Sequence, residues 1–297
     1  MKTLRILIST IIFTFIFTSC SNDDDAAPIP EAELITQREV LIALFNANPG
    51  NTLSWDIESD DISTWNGVTT DADDNIIELN LGATSLTNIP AQIGNLTHLT
   101  DLSLYDNSIS SIPAEIRNLT NLTNLYLENN NLLSIPPEIG NITNLIYLSL
   151  YNNNISSIPA EIGNLPNLIR LSLNRNNLTT IPAEIENLTN LTSLSVSDNN
   201  LSSIPTEIGN LTNLTGLYLY ENNLSTIPTE IGNLINLTDL YLNDNSLSSI
   251  PTEIGNLTNL TELYLDNNSL TTIPLSVCDL ETMHGTNIYK DAGVTCL

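Results

Sequence analysis

From Ile76 to Thr282 the apolar residues recur with a period of 23. One copy places Leu122, Leu125, Leu127, Leu132, Ile135, Ile139 and Ile142 at fixed intervals around Asn130 and Pro136, and the next copy begins at Leu145. The dipeptide Ile-Pro marks each copy, from Ile89-Pro90 through Ile158-Pro159 to Ile273-Pro274, nine times in all. Within a copy, Leu125-Tyr126-Leu127 alternates with period two, which predicts a short strand that sends both Leu side chains to a core and Tyr126 to the opposite face. A unit of this length cannot enclose its own apolar face. Stacking of identical neighbours does so, and the period therefore predicts a solenoid.

The aligned copies read L-x-x-L-x-L-x-x-N-x-L-x-x-I-P-x-x-I-G-N-L-T-N. This pattern resembles the leucine-rich repeat family in its 23-residue, Ile-Pro variety. The resemblance implies an α/β solenoid, a horseshoe whose concave face is a parallel β-sheet, with nine repeats over residues 76–282. The Asn column (Asn107, Asn130, Asn153, Asn176, Asn199, Asn222, Asn245, Asn268) stands where the chain leaves each strand, where a buried amide can bond backbone groups that the turn leaves unpaired. Thr84 takes that place in the first repeat. The Asn-Leu-Thr triplets are read as repeat consensus and not as glycan acceptors.

Both ends are expected to be capped, over residues 34–75 and 283–297. Val40, Leu41, Leu44 and Phe45 fall at helical spacing between Thr36 and Asn46, and Trp55 and Trp65-Asn66-Gly67-Val68 follow. This segment resembles the N-terminal cap of plant extracellular leucine-rich repeat proteins. Ser63 and Thr70 stand where those have cysteines, so tryptophan packing must serve without a disulfide. At the other end Met283 and Ile288 fall near the next core positions, and Val294-Thr295-Cys296 is placed to fold back over the array.

The N-terminus departs from the repeat. Lys2 and Arg5 precede an apolar run from Ile6 to Phe17, about half the length that spans a bilayer, so residues 1–19 read as an export signal. Phe17-Thr18-Ser19-Cys20 resembles a bacterial lipoprotein processing box, although Leu is usual where Phe17 stands. That resemblance implies lipidation of Cys20, with residues 20–33 as a tether. Asp23-Asp24-Asp25 resembles the surface-export signal of Bacteroidota lipoproteins, which implies an outer-membrane lipoprotein displayed on the cell surface; the plainer alternative is a solvated spacer. Lipidation of one of three cysteines leaves Cys278 and Cys296 as a pair.

Charge narrows the partners. Seven Lys and Arg stand against 34 Asp and Glu, a formal net charge of −27. Such a chain repels nucleic-acid phosphate and anionic headgroups, so no nucleic acid is expected, and membrane contact is expected only through the lipid. Glu115, Glu138, Glu161, Glu184, Glu207, Glu230 and Glu253 form one row on the outer side, read as a solvated row that favours a monomer. Asp71, Asp73 and Asn75 mimic the start of a calcium loop, but Ile76 stands where glycine is required, and the segment reads as a turn into the first strand. His98 and His284 lie far apart and no phosphate loop or nucleophile motif is found, so neither enzyme, metal nor cofactor is expected.

Binding is expected at the variable outward positions. Eight of nine tyrosines fall there: Tyr105, Tyr126, Tyr147, Tyr151, Tyr218, Tyr220, Tyr241 and Tyr264, with Tyr289 outside the array. Tyr218, Tyr241 and Tyr264 share a column and are expected to stack. Asp101, Asp106, Glu128, Asp198, Glu221, Asp239, Asp244, Glu262 and Asp266 surround them, with Arg170 and Arg175 as a basic spot. Tyrosine supplies contact area at little entropic cost, which points to a protein ligand of neutral or basic surface. Stacking of Tyr faces on sugar rings, hence a glycan ligand, and a spacer without a ligand are the alternatives; for the tyrosines, cross-strand packing alone is the plainer explanation.

Overall fold

The computed structural model describes residues 35–297. The expected signal segment, Cys20 and the tether lie outside the described residues. Thr36 opens the first helix, α1 (Gln37–Ala47), with a reciprocal cap: its hydroxyl accepts from Glu39 N while the Glu39 carboxylate accepts from Thr36 N. Helical spacing buries Val40, Leu41 and Leu44. Phe45, Trp55 and Trp65 then stack in series, with centroids 6.5 and 5.1 Å apart, so aromatic packing does stand where the related cap has a disulfide. Asn48, which the sequence pattern does not single out, bolts this cap to the first repeat. Its amide donates to Leu44 O and Asn88 O and accepts from Thr87 N and Asn88 N, all within 2.9 Å.

The sheet begins with a hairpin. Strand β1 (Val68–Thr70) runs antiparallel to β2 (Ile76–Asn80), and the turn between them closes on Asp71, whose carboxylate accepts from Asp73 N and Asn75 N. Those bonds hold the Asp71 carboxyl below its ordinary range, the Asn75 backbone contact being the largest cause. Parallel strands follow at β3 (Asp101–Ser103), β4 (Asn124–Tyr126), β5 (Tyr147–Ser149), β6 (Arg170–Ser172), β7 (Ser193–Ser195), β8 (Gly216–Tyr218), β9 (Asp239–Tyr241) and β10 (Glu262–Tyr264). Each pairs with its neighbour in a register of one repeat, Leu217 opposite Leu240 for example. The Ile-Pro segment crosses the opposite side and enters a five-residue 3-10 turn, such as Ala160–Asn164 after Pro159. Between the two layers the Leu and Ile positions form one continuous core, nearly all of them fully buried.

The Asn column supplies polar bonds inside that core. Asn199 donates to Val196 O of its own repeat and Leu173 O of the preceding one, and accepts from Leu178 N at 2.9 Å. Every later Asn repeats the pattern, so the turns are sewn to one another along the stack.

The C-terminal end differs from expectation. After Pro274 the chain forms an α-helical turn, α2 (Leu275–Asp279), then a π-helical turn, Leu280–His284, that ends at Gly285 with φ of 76°. The wider turn shifts the register to 25 residues: strand β12 (Asn287–Tyr289) pairs with β10 so that Leu263 faces Ile288. Met283, expected near a core position, is 75% exposed, and Leu280, Thr286 and Val294 are buried in this end of the array. Strands β11 (Thr272–Ile273) and β13 (Thr295–Cys296) pair in parallel, and Cys278 is joined to Cys296. With β1 and β12 the main sheet has 11 strands.

Candidate ligand-binding face

Outward side chains of the sheet form four columns. The first precedes the central Leu of each strand and holds Asp101, Tyr147, Arg170, Asp239 and Glu262; the second follows that Leu and holds Tyr126, Tyr218, Tyr241 and Tyr264. The third, just past the strands, holds Tyr105, Glu128, Tyr151 and Tyr220, and the fourth holds Arg175. These residues do not make one site. Tyr105 lies apart, its ring so close over Gly82 that a Cβ there would stand 2.3 Å away. Tyr126 and Tyr147 pair with centroids 5.1 Å apart, beside Asp101, which accepts from Asn124. Tyr151 is covered by Arg175, whose guanidinium lies 5.5 Å from the ring centroid, donates to the phenol oxygen at 2.7 Å and pairs with Asp198 at 3.2 Å. Of the basic spot, only exposed Arg170 is then without an acidic partner among the described residues.

The largest assembly is a run of close rings, stacked from Tyr241 to Tyr289 and tilted at Tyr218. Tyr218 and Tyr241 have centroids 5.1 Å apart, Tyr241 and Tyr264 4.3 Å, and Tyr264 and Tyr289 4.2 Å. Tyr289, expected outside the array, completes the column, because the 25-residue register of β12 sets it opposite Tyr264. The signal in the sequence was Gly285, whose left-handed conformation ends the π-helical turn. Tyr220 tilts toward Tyr241 at 6.4 Å, and with Glu221, Asn243 and Tyr264 they line an open groove of about 310 Å³.

Burial and neighbouring groups raise several of these phenols above their ordinary range. Burial, then the neighbouring Tyr264, pushes Tyr241 up to about 12; burial, then Asp239, raises Tyr218. Tyr289 is raised first by its hydrogen bond with Tyr264, and Tyr126 by burial and then Tyr147. Around them stand acceptors that no group among the described residues satisfies: Glu128 Oε2, Glu262 Oε2, Asn243 Oδ1 and Asp266 Oδ1.

Part of the acidic pattern has a backbone origin. Asp106, Asn129, Asn152, Arg175, Asp198, Glu221, Asp244 and Asn267 all adopt φ between 52° and 55°. Asp and Asn tolerate this left-handed conformation, so Asp106, Asp198 and Asp244 fit there without reference to a ligand. Arg175 and Glu221 are the two the backbone does not favour. A larger groove of about 410 Å³ runs beside the strands along Asn121, Asn144, Asn167 and Asn190, but each of those amides already donates to the preceding repeat. Among the described residues no three His, Cys, Asp or Glu side chains gather as metal ligands, and no helix is long and apolar enough to cross a membrane.

Comparison with known proteins agrees with this geometry. A leucine-rich repeat region is matched over residues 78–168 and again over 137–242, and a two-copy leucine-rich repeat unit over 235–277. Comparison with the curated proteins finds no matching relative. Among solved structures the chain is similar to a leucine-rich repeat protein of Leptospira interrogans, at 33% identity and a TM-score of 0.56, covering 71% of this chain and 59% of that one. It is similar to the Arabidopsis receptor kinase HAESA, solved with the peptide hormone IDA and the co-receptor SERK1, at 32% identity and a TM-score of 0.73, over 87% of this chain and 45% of that one. Internalin C2 of Listeria monocytogenes matches at 31% identity and a TM-score of 0.56, over 65% of this chain and 80% of its own. The chain thus spans about half the length of the plant receptor. Strand register, the buried Asn column and the matched segments lead to one conclusion: the chain belongs to the leucine-rich repeat family.

Proposed function

We propose that this protein is a surface-anchored binding module that takes a protein or peptide ligand on its concave face, without catalysing a reaction. The observation that carries the reading is the column Tyr218, Tyr241, Tyr264 and Tyr289 on the outward side of the sheet, its last three rings stacked at centroid distances of 4.3 and 4.2 Å and Tyr218 tilted against Tyr241 at 5.1 Å. Rings that stack on one another spend their faces internally and present rims and hydroxyls. Rims and hydroxyls suit the mixed polar and apolar surface of a polypeptide, whereas a sugar ring needs a free aromatic face; the stacking therefore supports a protein ligand over a glycan. The similar HAESA ectodomain was solved with a peptide hormone, which supports a polypeptide ligand here. A net charge of −27 supports a neutral or basic one, drawn in by the acidic field.

The anchor is read from Cys20 and its preceding residues alone. Labelled palmitate should enter the protein in a bacterial host and be lost on Cys20→Ser. For ligand binding, a random peptide display library selected on the full-length protein in detergent should yield binders that weaken with added salt. Binders whose affinity is unchanged by Tyr218→Ala, Tyr241→Ala and Tyr264→Ala together would overturn the concave-face reading.

A further inference from the structure

Arg175 shows what a guanidinium does on this face. It lies over the Tyr151 ring, donates to the phenol oxygen and pairs with Asp198. Its residue type runs against the left-handed backbone that it occupies, at φ of 55°. Tyr220 occupies the same column as Tyr151, three repeats further on. The residue that stands to Tyr220 as Arg175 stands to Tyr151 is Asp244, and its carboxylate accepts from the Asn243 amide at 2.7 Å.

The polar groups beside Tyr220 are acceptors without donors. Asn243 turns its nitrogen to Asp244, and its Oδ1 is buried without a partner; Asp266, next in the same column, has Oδ1 in the same condition. Glu221 lines the groove despite a φ of 52° that disfavours it. Buried acceptors left unpaired are costly, and a planar cation with five N–H donors answers several at once while packing on tyrosine. An ammonium is a point charge and cannot span them.

We infer that the groove between Tyr220, Asn243 and Tyr264 is an arginine subsite: a ligand segment inserts one guanidinium there, packed on Tyr220 and bonded to Asn243 Oδ1 and the carboxylate of Glu221. This rests on the concave-face reading and adds to it the residue that the ligand must carry. The fit is one of chemistry and charge. The groove is lined by aromatic rings and acceptors, and the chain as a whole carries −27.

The test uses peptides selected from a random display library on the full-length protein in detergent, resynthesised with arginine, lysine or citrulline at each basic position. Selected peptides should share an arginine whose change to citrulline, which removes the charge, or to lysine, which removes the planar donors, weakens binding about tenfold or more, the effect of losing one charge-assisted bond. Asn243→Ala and Glu221→Asn should abolish that preference while leaving residual binding, because the one column holds Gly82, Ser197 and Tyr220 in other repeats and the other holds Asn129, Asn152 and Asn267, so both tolerate side-chain change. Equal binding of arginine and citrulline peptides or of arginine and lysine peptides, or a preference that survives both substitutions, would overturn the inference. Peptides without arginine that still require Tyr218, Tyr241 and Tyr264 would overturn it and leave the concave-face reading standing. If no selected peptide depends on those tyrosines, both fail.

Discussion

Asn199→Ala should destabilise the centre of the array by about 2 to 6 kcal/mol, counted from the bonds that it removes. The amide sits 8% exposed and accepts from Leu178 N at 2.9 Å while donating to Leu173 O and Val196 O. Truncation leaves the Leu178 N–H buried and unpaired, at about 1 to 3 kcal/mol. The two carbonyls lose less, because Leu173 O still accepts from Asn176 and Val196 O from Asn222, so each forfeits one bond of about 0.5 to 1.5 kcal/mol. Asn200→Ala is the control, its exposed side chain making no bond, with an expected change within about 0.5 kcal/mol. Asn199→Asp separates bonding from shape. It keeps the acceptor for Leu178 N but sets a buried carboxylate against two carbonyls, and should be at least as damaging as Ala at neutral pH. Because a solenoid unfolds in sections, urea melts should be read beside residue-level hydrogen exchange at Leu178 N. An Asn199→Asp protein within about 1 kcal/mol of wild type, or an Asn199→Ala protein no different from the Asn200→Ala control, would refute the reasoning.

Three further outcomes are expected. Tyrosines whose folded pKa is raised contribute stability that is complete below the ordinary value near 10 and is lost as pH rises through the raised value. Tyrosinate absorbance should therefore lag behind model tyrosine, Tyr241 ionising last at about 12, with stability falling over the same window; titration of all tyrosines at the ordinary value would contradict the stack. Replacing Cys278 and Cys296 by Ser opens a loop with a sequence separation of 18 and should cost about 3 kcal/mol, confined to faster exchange at Leu275, Thr295 and Leu297; unchanged exchange there would contradict it. Gly163→Ala places a Cβ 2.4 Å from the Glu184 carbonyl of the next repeat and should cost about 1 to 3 kcal/mol in thermal or urea melts. A neutral effect would contradict the close packing of this glycine, and would mean that the position accepts a side chain here as it does with Arg117 and Glu186 in other repeats.

The array was legible in the sequence because each repeat obeys the same local physics: alternation gives the strand, Ile-Pro the crossing and Asn the buried bonds. What departed from it was whatever the repeat does not specify. Met283 matches the period yet is extruded, because the π-helical turn ending at Gly285 delays the next strand by two residues. The same delay brings Tyr289 into a column from which strict counting removes it. Asn48 bonds the cap to Thr87 and Asn88, but nothing periodic surrounds it to mark it. The left-handed row is hidden for another reason. Asp and Asn at those positions look like surface charge until the φ values show that the backbone selects them.

The tyrosines can be separated from the scaffold by comparing strands. Ser103, Ser149, Ser172 and Ser195 occupy the column of Tyr218, Tyr241 and Tyr264, and their strands pair in the same register, Ser149 opposite Ser172 as Tyr218 is opposite Tyr241. The sheet therefore forms without an aromatic ring at this position. Cross-strand tyrosine pairs add about 0.2 to 1 kcal/mol each, yet rings are gathered in β8, β9, β10 and β12 and absent from β5, β6 and β7 in that column. A stabilising device needed by the fold would have no reason to stop there. The gathering coincides with the groove at Tyr220 and with the unpaired acceptors of Asn243, Glu262 and Asp266. Rings that the scaffold does without, beside acceptors that the scaffold does not satisfy, are accounted for together by a ligand that brings donors to this end of the face.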